Sequence, residues 1–114
     1  MRLRAQSNSL NNDSVSAQFS DSVDAFGSPT NRIGTPAGAE FVLQDGTSGS
    51  ISGWGWADNG FGNVGSDVYF AVTGTHTIRM QQRTDGAVID QIVISPDTYV
   101  RMAPGALMND ATIL

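Results

Sequence analysis

The stretch TGTHTIRMQQRTDGAVIDQIVISP, residues 73–96, decides the fold class. Within residues 75–83, His76, Ile78 and Met80 alternate with more polar side chains, which indicates a strand with one packed face and one wet face. A turn-forming TDG follows at 84–86. Residues 87–94, AVIDQIVI, are then apolar on both faces over most of their length, which predicts a central strand covered on both sides.

The rest of the chain repeats this rhythm of short strands and turns. Alternating runs cover residues 1–6 and 14–20, and DVYFAV at 67–72 is a second segment expected to be central. Turn-forming clusters rich in Gly, Pro, Asn, Asp and Ser separate these runs, at 7–13, 26–31, 34–38, 44–50, 57–63 and 95–97. Such spacing is typical of a sandwich or barrel of antiparallel strands, here seven to nine of them.

Composition favours one all-β domain. The 114 residues (12.0 kDa) suit a single domain, 1–114, and offer no room for a second core. Lysine is absent and Glu40 is the only glutamate, so good helix formers are scarce. Residues 103–114, APGALMNDATIL, have no sustained period and are expected to be an irregular tail.

Charge and cysteine content exclude several functions. Six arginines against eleven acidic residues argue against nucleic-acid binding, which requires a basic stripe. No run approaches the ~18 apolar residues of a membrane span. The absence of cysteine excludes disulfides, zinc–thiolate sites and a cysteine nucleophile. The first residues lack the apolar segment of a signal peptide.

The chain opens inside the alternating run 1–6, with no turn before it. A sheet that begins there is expected to expose an unpaired edge strand, which invites pairing with another chain. A homodimer through this N-terminal edge is therefore one expected partner. A structural or adhesion module without sugar binding, and a truncated fragment, are the readings that compete with ligand binding.

The candidate binding site is the tryptophan loop GWGWADNGFG, residues 53–62. Trp54 and Trp56 are two apart, so an extended chain places both rings on one side. Aromatic rings bury the flat C–H faces of sugars, and amide and carboxylate groups such as Asp58 and Asn59 hydrogen-bond the hydroxyls. We expect one tryptophan in the core and one in water, with Trp56 as the ligand contact.

Three further side chains are candidates for the site. Asn12 belongs to an NND cluster that either lies at the rim of the tryptophan loop or forms an ordinary turn. Arg83 either contacts sugar or pairs with Asp85 or Asp90. Asp90, inside an apolar strand, has to accept hydrogen bonds, pair with arginine or bind a cation, because a buried carboxylate without a partner is costly.

The motifs GWGWADNGFG (53–62), DVYF (67–70) and residues 73–96 together resemble the end of a bacterial β-jelly-roll carbohydrate-binding module of the family 6 and family 35 kind. In that pattern a Trp loop feeds a strand, a Gly-x-His turn opens a long strand, and the last strand carries apolar-Asp-x-Ile, here residues 89–92. Residues 12–24 resemble the Asn loop and early strand of the same modules, so the resemblance spans roughly residues 1–100. The family's first strands, with their acidic calcium ligand, have no counterpart here, and Val88 replaces a polar residue.

The resemblance implies an extracellular, non-catalytic module that binds polysaccharide or oligosaccharide. It also implies that Asp90 is a structural anchor or a calcium ligand, so a structural calcium is a candidate cofactor. Catalysis is not expected, since no pair of carboxylates, catalytic triad or cofactor motif is present. The expected fold is an antiparallel β-sandwich of jelly-roll type. Its predicted core comprises Leu3, Val15, Phe19, Phe41, Phe70, Ile78, Met80, Ile89, Ile92 and Ile94.

Overall fold

The computed structural model describes residues 1–7, 9, 11–43 and 53–114, and the described residues form eight strands and no helix. All strand pairs are antiparallel, so the all-β prediction is confirmed. No helix capable of crossing a membrane occurs within these ranges. The strands are β1 (Arg2–Gln6), β2 (Ser14–Phe19), β3 (Ser22–Val23), β4 (Ala39–Val42), β5 (Gly55–Asp58), β6 (Tyr69–Phe70), β7 (Ile78–Gln82) and β8 (Val88–Val93).

The strands form two three-stranded sheets and one short ribbon. The first sheet has the order β5-β1-β8, the second β4-β2-β7, and β3 pairs with β6. Leu3 of the first sheet lies in the same buried cluster as Val15 and Phe41 of the second, so the arrangement is sandwich-like. The pairing is nested along the chain: β1 with β8, β2 with β7 and β3 with β6.

Alternation explains how the second sheet packs. Val15, Ala17 and Phe19 of β2 are buried, whereas Ser16 and Gln18 between them are partly exposed. Across the sheet Ala17 aligns with Met80 and Phe19 with Ile78, which puts apolar side chains opposite apolar ones. The predicted alternation of residues 14–20 and of β7 is therefore confirmed.

Three members of the predicted core are wrong. Phe70 is 36% exposed, Ile92 is 44% exposed and Ile94 is 54% exposed. Residues 67–72 contribute only the two-residue strand β6, which pairs with β3 alone, and β8 is an edge strand. Neither segment is central. The prediction failed because an apolar strand at a sheet edge has the same sequence pattern as a strand between two neighbours. Leu3, Val15, Phe19 and Phe41 are buried as predicted, and Ile78, Met80 and Ile89 pack against that cluster.

The N-terminal strand is central, which corrects the expected homodimer edge. β1 pairs with β5 on one side and with β8 on the other, so it offers no free edge to a partner. Its outward side chains Arg2 and Arg4 are nonetheless buried. The outer face is buried because another part of the chain covers it, while the inner face packs in the core.

That cover is the C-terminal segment, residues 95–114, which contains no helix or strand. The Trp56 amide donates to the Ala106 carbonyl (2.9 Å), and the Asp110 amide donates to the Trp54 carbonyl (2.8 Å). Gly55 permits this approach, since a Cβ there would lie 1.6 Å from the Leu107 carbonyl oxygen. The turn predicted at 44–50 lies outside the described residues.

Candidate ligand-binding site

Trp56 is not the exposed ring that the sequence predicted. Its exposed fraction is 2%, and its indole N–H donates to the Thr112 carbonyl at 3.3 Å. Trp56 lies directly opposite Arg4 on the outer face of the first sheet, where the C-terminal segment covers it. The expectation that this ring contacts ligand is therefore wrong, because its polar edge and its apolar faces are used inside the protein.

Trp54 is half-buried and is also engaged within the chain. The Arg4 guanidinium carbon lies 5.0 Å from its ring centroid, which is a cation–π distance. The Arg4 guanidinium also donates to the Asp110 carbonyl at 3.0 Å and pairs with Asp90. Both tryptophans thus hold the C-terminal segment against the sheet.

Asp58 is buried and serves the loop that follows it. One carboxylate oxygen pairs with Arg2, and the other accepts from the amides of Gly60 (2.6 Å) and Gly65 (3.2 Å). With both oxygens occupied inside the protein, the buried Asp58 has a structural role in this loop, where the sequence predicted a carboxylate open to a sugar hydroxyl. Its neighbour Asn59 is half-buried, and its amide donates to the Ser66 carbonyl at 3.0 Å.

The remaining predicted residues are dispersed. Asn12 is half-buried in the turn before β2, where its backbone amide donates to the Ser9 carbonyl. Arg83 pairs with Glu40 (3.1 Å) and donates to the Ser14 hydroxyl (3.0 Å), and not to Asp85 or Asp90. Asp90 takes the arginine alternative through Arg4. Among the described residues, no group of three or more His, Cys, Asp or Glu side chains is placed to hold a metal ion.

Three clefts surround the loop of residues 59–65, and Asn59 lines all of them. The end cleft, about 300 Å³, lies at one end of the sandwich between Phe19, Phe70 and Ile94. The tyrosine groove, about 550 Å³, lies between residues 24–31 and residues 59–69. The glutamate groove, about 520 Å³, includes Glu40 and Phe61. Asn12 and Arg83 line none of these three.

The tyrosine groove combines exposed rings with polar side chains. Phe26 is 94% exposed and Tyr69 is 46% exposed, and both line the groove. Asp24 fixes the Phe26 loop, since its carboxylate accepts from the amides of Phe26 (2.8 Å) and Ser28 (2.9 Å). The polar lining is completed by Asn31, Asn59, Ser66, Asp67 and Arg101.

No family model, curated protein or solved structure matches the chain.

The charges of the tyrosine groove are partly balanced. Arg101 donates to Asp67 at 2.9 Å, and both side chains are substantially exposed, so this ion pair contributes little to stability. Both groups therefore stay accessible to a polar ligand. Of the predicted site residues, this groove contains only Asn59.

Sequence reasoning missed the exposed rings that line these clefts. Phe26 stands in the turn FGSPTN and Phe61 in NGFGN, and an aromatic residue inside a Gly-rich turn has no neighbouring strand to bury it. That signal was present in the sequence. Tyr69 had no such signal, because DVYFAV has the apolar pattern of a buried strand.

Proposed function

We propose that this protein is a non-catalytic carbohydrate-binding module that takes its ligand in the tyrosine groove. The observation that carries the proposal is that two exposed rings, Phe26 and Tyr69, line one groove together with Asp, Asn and Arg side chains. Rings of this kind pack on the C–H faces of sugars while carboxylate, amide and guanidinium groups bond the hydroxyls. An extracellular location follows from the same proposal.

The nested strand pairing supports the jelly-roll part of the proposal. A jelly roll is a double antiparallel sheet with Greek-key connections. A long antiparallel hairpin that is rolled up pairs its first strand with its last and its second with its second-last. The pairs β1–β8, β2–β7 and β3–β6 follow this order. Because of this nested pairing, the resemblance to family 6 and family 35 modules remains part of the proposal.

The direct test is a titration with soluble glycans followed by NMR of backbone amides. Tryptophan fluorescence is a poor reporter here, because Trp56 is sealed and Trp54 lies under Arg4. We expect shifts for Tyr69, Asn59 and the amides of residues 24–28, with dissociation constants on the order of micromolar to millimolar, as an open groove buries little area. If a broad panel of neutral, acidic and amino-sugar polymers moves none of these amides, the proposal is wrong.

A matched pair of variants locates the site. Tyr69→Ala is expected to weaken glycan binding roughly tenfold, because one sugar–ring contact is lost. Phe61→Ala removes a more exposed ring, which lies in the glutamate groove, and is expected to leave affinity unchanged. Equal losses in both variants would contradict the assignment to the tyrosine groove.

A further inference from the structure

β8 is an exposed apolar strand at the edge of the first sheet. It pairs with β1 only, and its other edge has no strand beside it among the described residues. Val88 is 49% exposed and Ile92 is 44% exposed. A long apolar edge strand presents unpaired N–H and C=O groups together with apolar side chains, and these are the features that another strand satisfies.

The order of residue types in β8 is nearly the same from either end of the strand. It is VIDQIV, with Val at both ends, Ile next to each end and a polar pair in the middle. The pairing with β1 shifts register at a β-bulge between Arg4 and Ala5, where Asp90 has no partner in the register, and this shift assigns the faces. Val88 and Val93 lie opposite Gln6 and Arg2, whereas Ile89 and Ile92 lie opposite Ala5 and Leu3. The two valines therefore share one face of the sheet and the two isoleucines share the other.

We infer that β8 is a homodimer interface, in which two copies of this chain pair their β8 strands antiparallel about a twofold axis between Asp90 and Gln91. Val88 then lies opposite Val93 of the second copy, and Ile89 lies opposite Ile92. Outward side chains meet outward ones and inward meet inward. The two three-stranded sheets become one sheet of six strands, with the same surface used by both copies.

Charge selects this occupant. Asp90 lies opposite the neutral amide of Gln91 and not opposite a second carboxylate, so no like charges face each other directly. Each Asp90 also has its own ion pair with Arg4 inside its chain. A partner strand of unrelated sequence has no reason to match valine with valine and isoleucine with isoleucine, whereas a second copy does so by symmetry.

Sedimentation equilibrium over a wide concentration range tests the dimer. Gln91→Glu places a carboxylate opposite Asp90 of the other copy twice and, within the chain, removes the hydrogen bond that the Gln91 amide donates to the Leu114 carbonyl. We expect the dimer dissociation constant to rise roughly tenfold. Gln81→Glu adds the same charge on exposed β7 and is expected to leave the dimer unchanged. A chain that is monomeric at all concentrations overturns the inference, and so does an equal effect of both variants.

Because the chain contains no cysteine, cross-linking reports the register directly. Under mild oxidation, a mixture of the Val88→Cys and Val93→Cys variants is expected to form a covalent dimer. Neither variant alone is expected to do so, since equal positions are far apart in an antiparallel pair about this axis. Cross-linking by each variant alone at the rate of the mixture would exclude this register. Both experiments are read without any glycan and so do not depend on the proposed function.

Discussion

Asp58 connects the first strand of the molecule with the loop that lines all three clefts. Its carboxylate pairs with Arg2 of β1 and accepts from the amides of Gly60 and Gly65. A carboxylate beside a tryptophan loop suits a sugar site equally well by residue type. Only burial distinguishes a structural carboxylate from a sugar-binding one. The burial of Asp58 involves Arg2 of β1, more than fifty positions away in the sequence.

Replacing Asp58 tests this structural role. In Asp58→Ala the buried Arg2 guanidinium loses its counter-charge and two loop amides lose their acceptor, so we expect the free energy of unfolding to fall by about 3 kcal/mol. Urea denaturation measures this change. Asp97→Ala, at an exposed carboxylate, is the control and is expected to change stability by less than about 0.5 kcal/mol. Removing both partners, as Arg2→Met with Asp58→Leu, should regain much of the loss, and a double variant as unstable as Asp58→Ala would contradict this account.

At the level of the strands, alternation predicted more than uniform apolarity did. The alternating segments of β2 and β7 have the packed and exposed faces that the sequence indicates, whereas in β1 the polar face is buried as well. The two uniformly apolar segments were placed centrally, and both lie at edges. Apolar side chains on both faces of a strand indicate that burial of either face is favourable. They do not indicate whether the covering groups belong to the same chain.

Gly55 decides how closely the C-terminal segment approaches β5. A methyl group there would meet the Leu107 carbonyl carbon at 2.2 Å and the Met108 amide nitrogen at 2.8 Å, both of them backbone atoms that cannot rotate away. We expect Gly55→Ala to lower the free energy of unfolding by about 2 kcal/mol through overpacking and to expose Trp56, with a red shift of its fluorescence. Gly38→Ala, whose methyl would meet nothing closer than 3.4 Å, is the control and should do neither. An unshifted, fully stable Gly55→Ala would show that the segment is not packed at this point.

On the scale of the whole molecule, the C-terminal segment is a third layer that the sequence analysis described only as an irregular tail. Its contacts with the sheet are backbone hydrogen bonds, together with hydrogen bonds that the side chains of Arg2, Arg4 and Trp56 donate to its carbonyl groups, and not a periodic apolar face. Such contacts leave no period in the sequence. This layer also covers the surface on which the tryptophan site was expected.

Asp110 makes this third layer sensitive to acid. Its pKa lies below the ordinary carboxyl value because its carboxylate accepts from the Ala106 amide (2.7 Å) and from the hydroxyl and amide of Thr112, with Arg4 nearby adding a smaller effect. A lowered folded-state pKa means that the contribution to folding is complete above the unfolded value of about 3.9 and is lost as the pH falls through the folded value.

We therefore expect the amides of Ala106 and Thr112 to lose hydrogen-exchange protection at acidities below about pH 4, before the strands of the second sheet lose theirs. Asp110→Asn lacks the titrating group, so protection at these two amides should be lower at neutral pH and should no longer change between pH 6 and pH 3, whereas Asp97→Asn should behave as the unmodified chain does. Retention of the acid transition in Asp110→Asn would contradict its assignment to Asp110. If β2 and the C-terminal segment lost protection at the same pH in every variant, the segment would be one cooperative unit with the sandwich and not a separable layer.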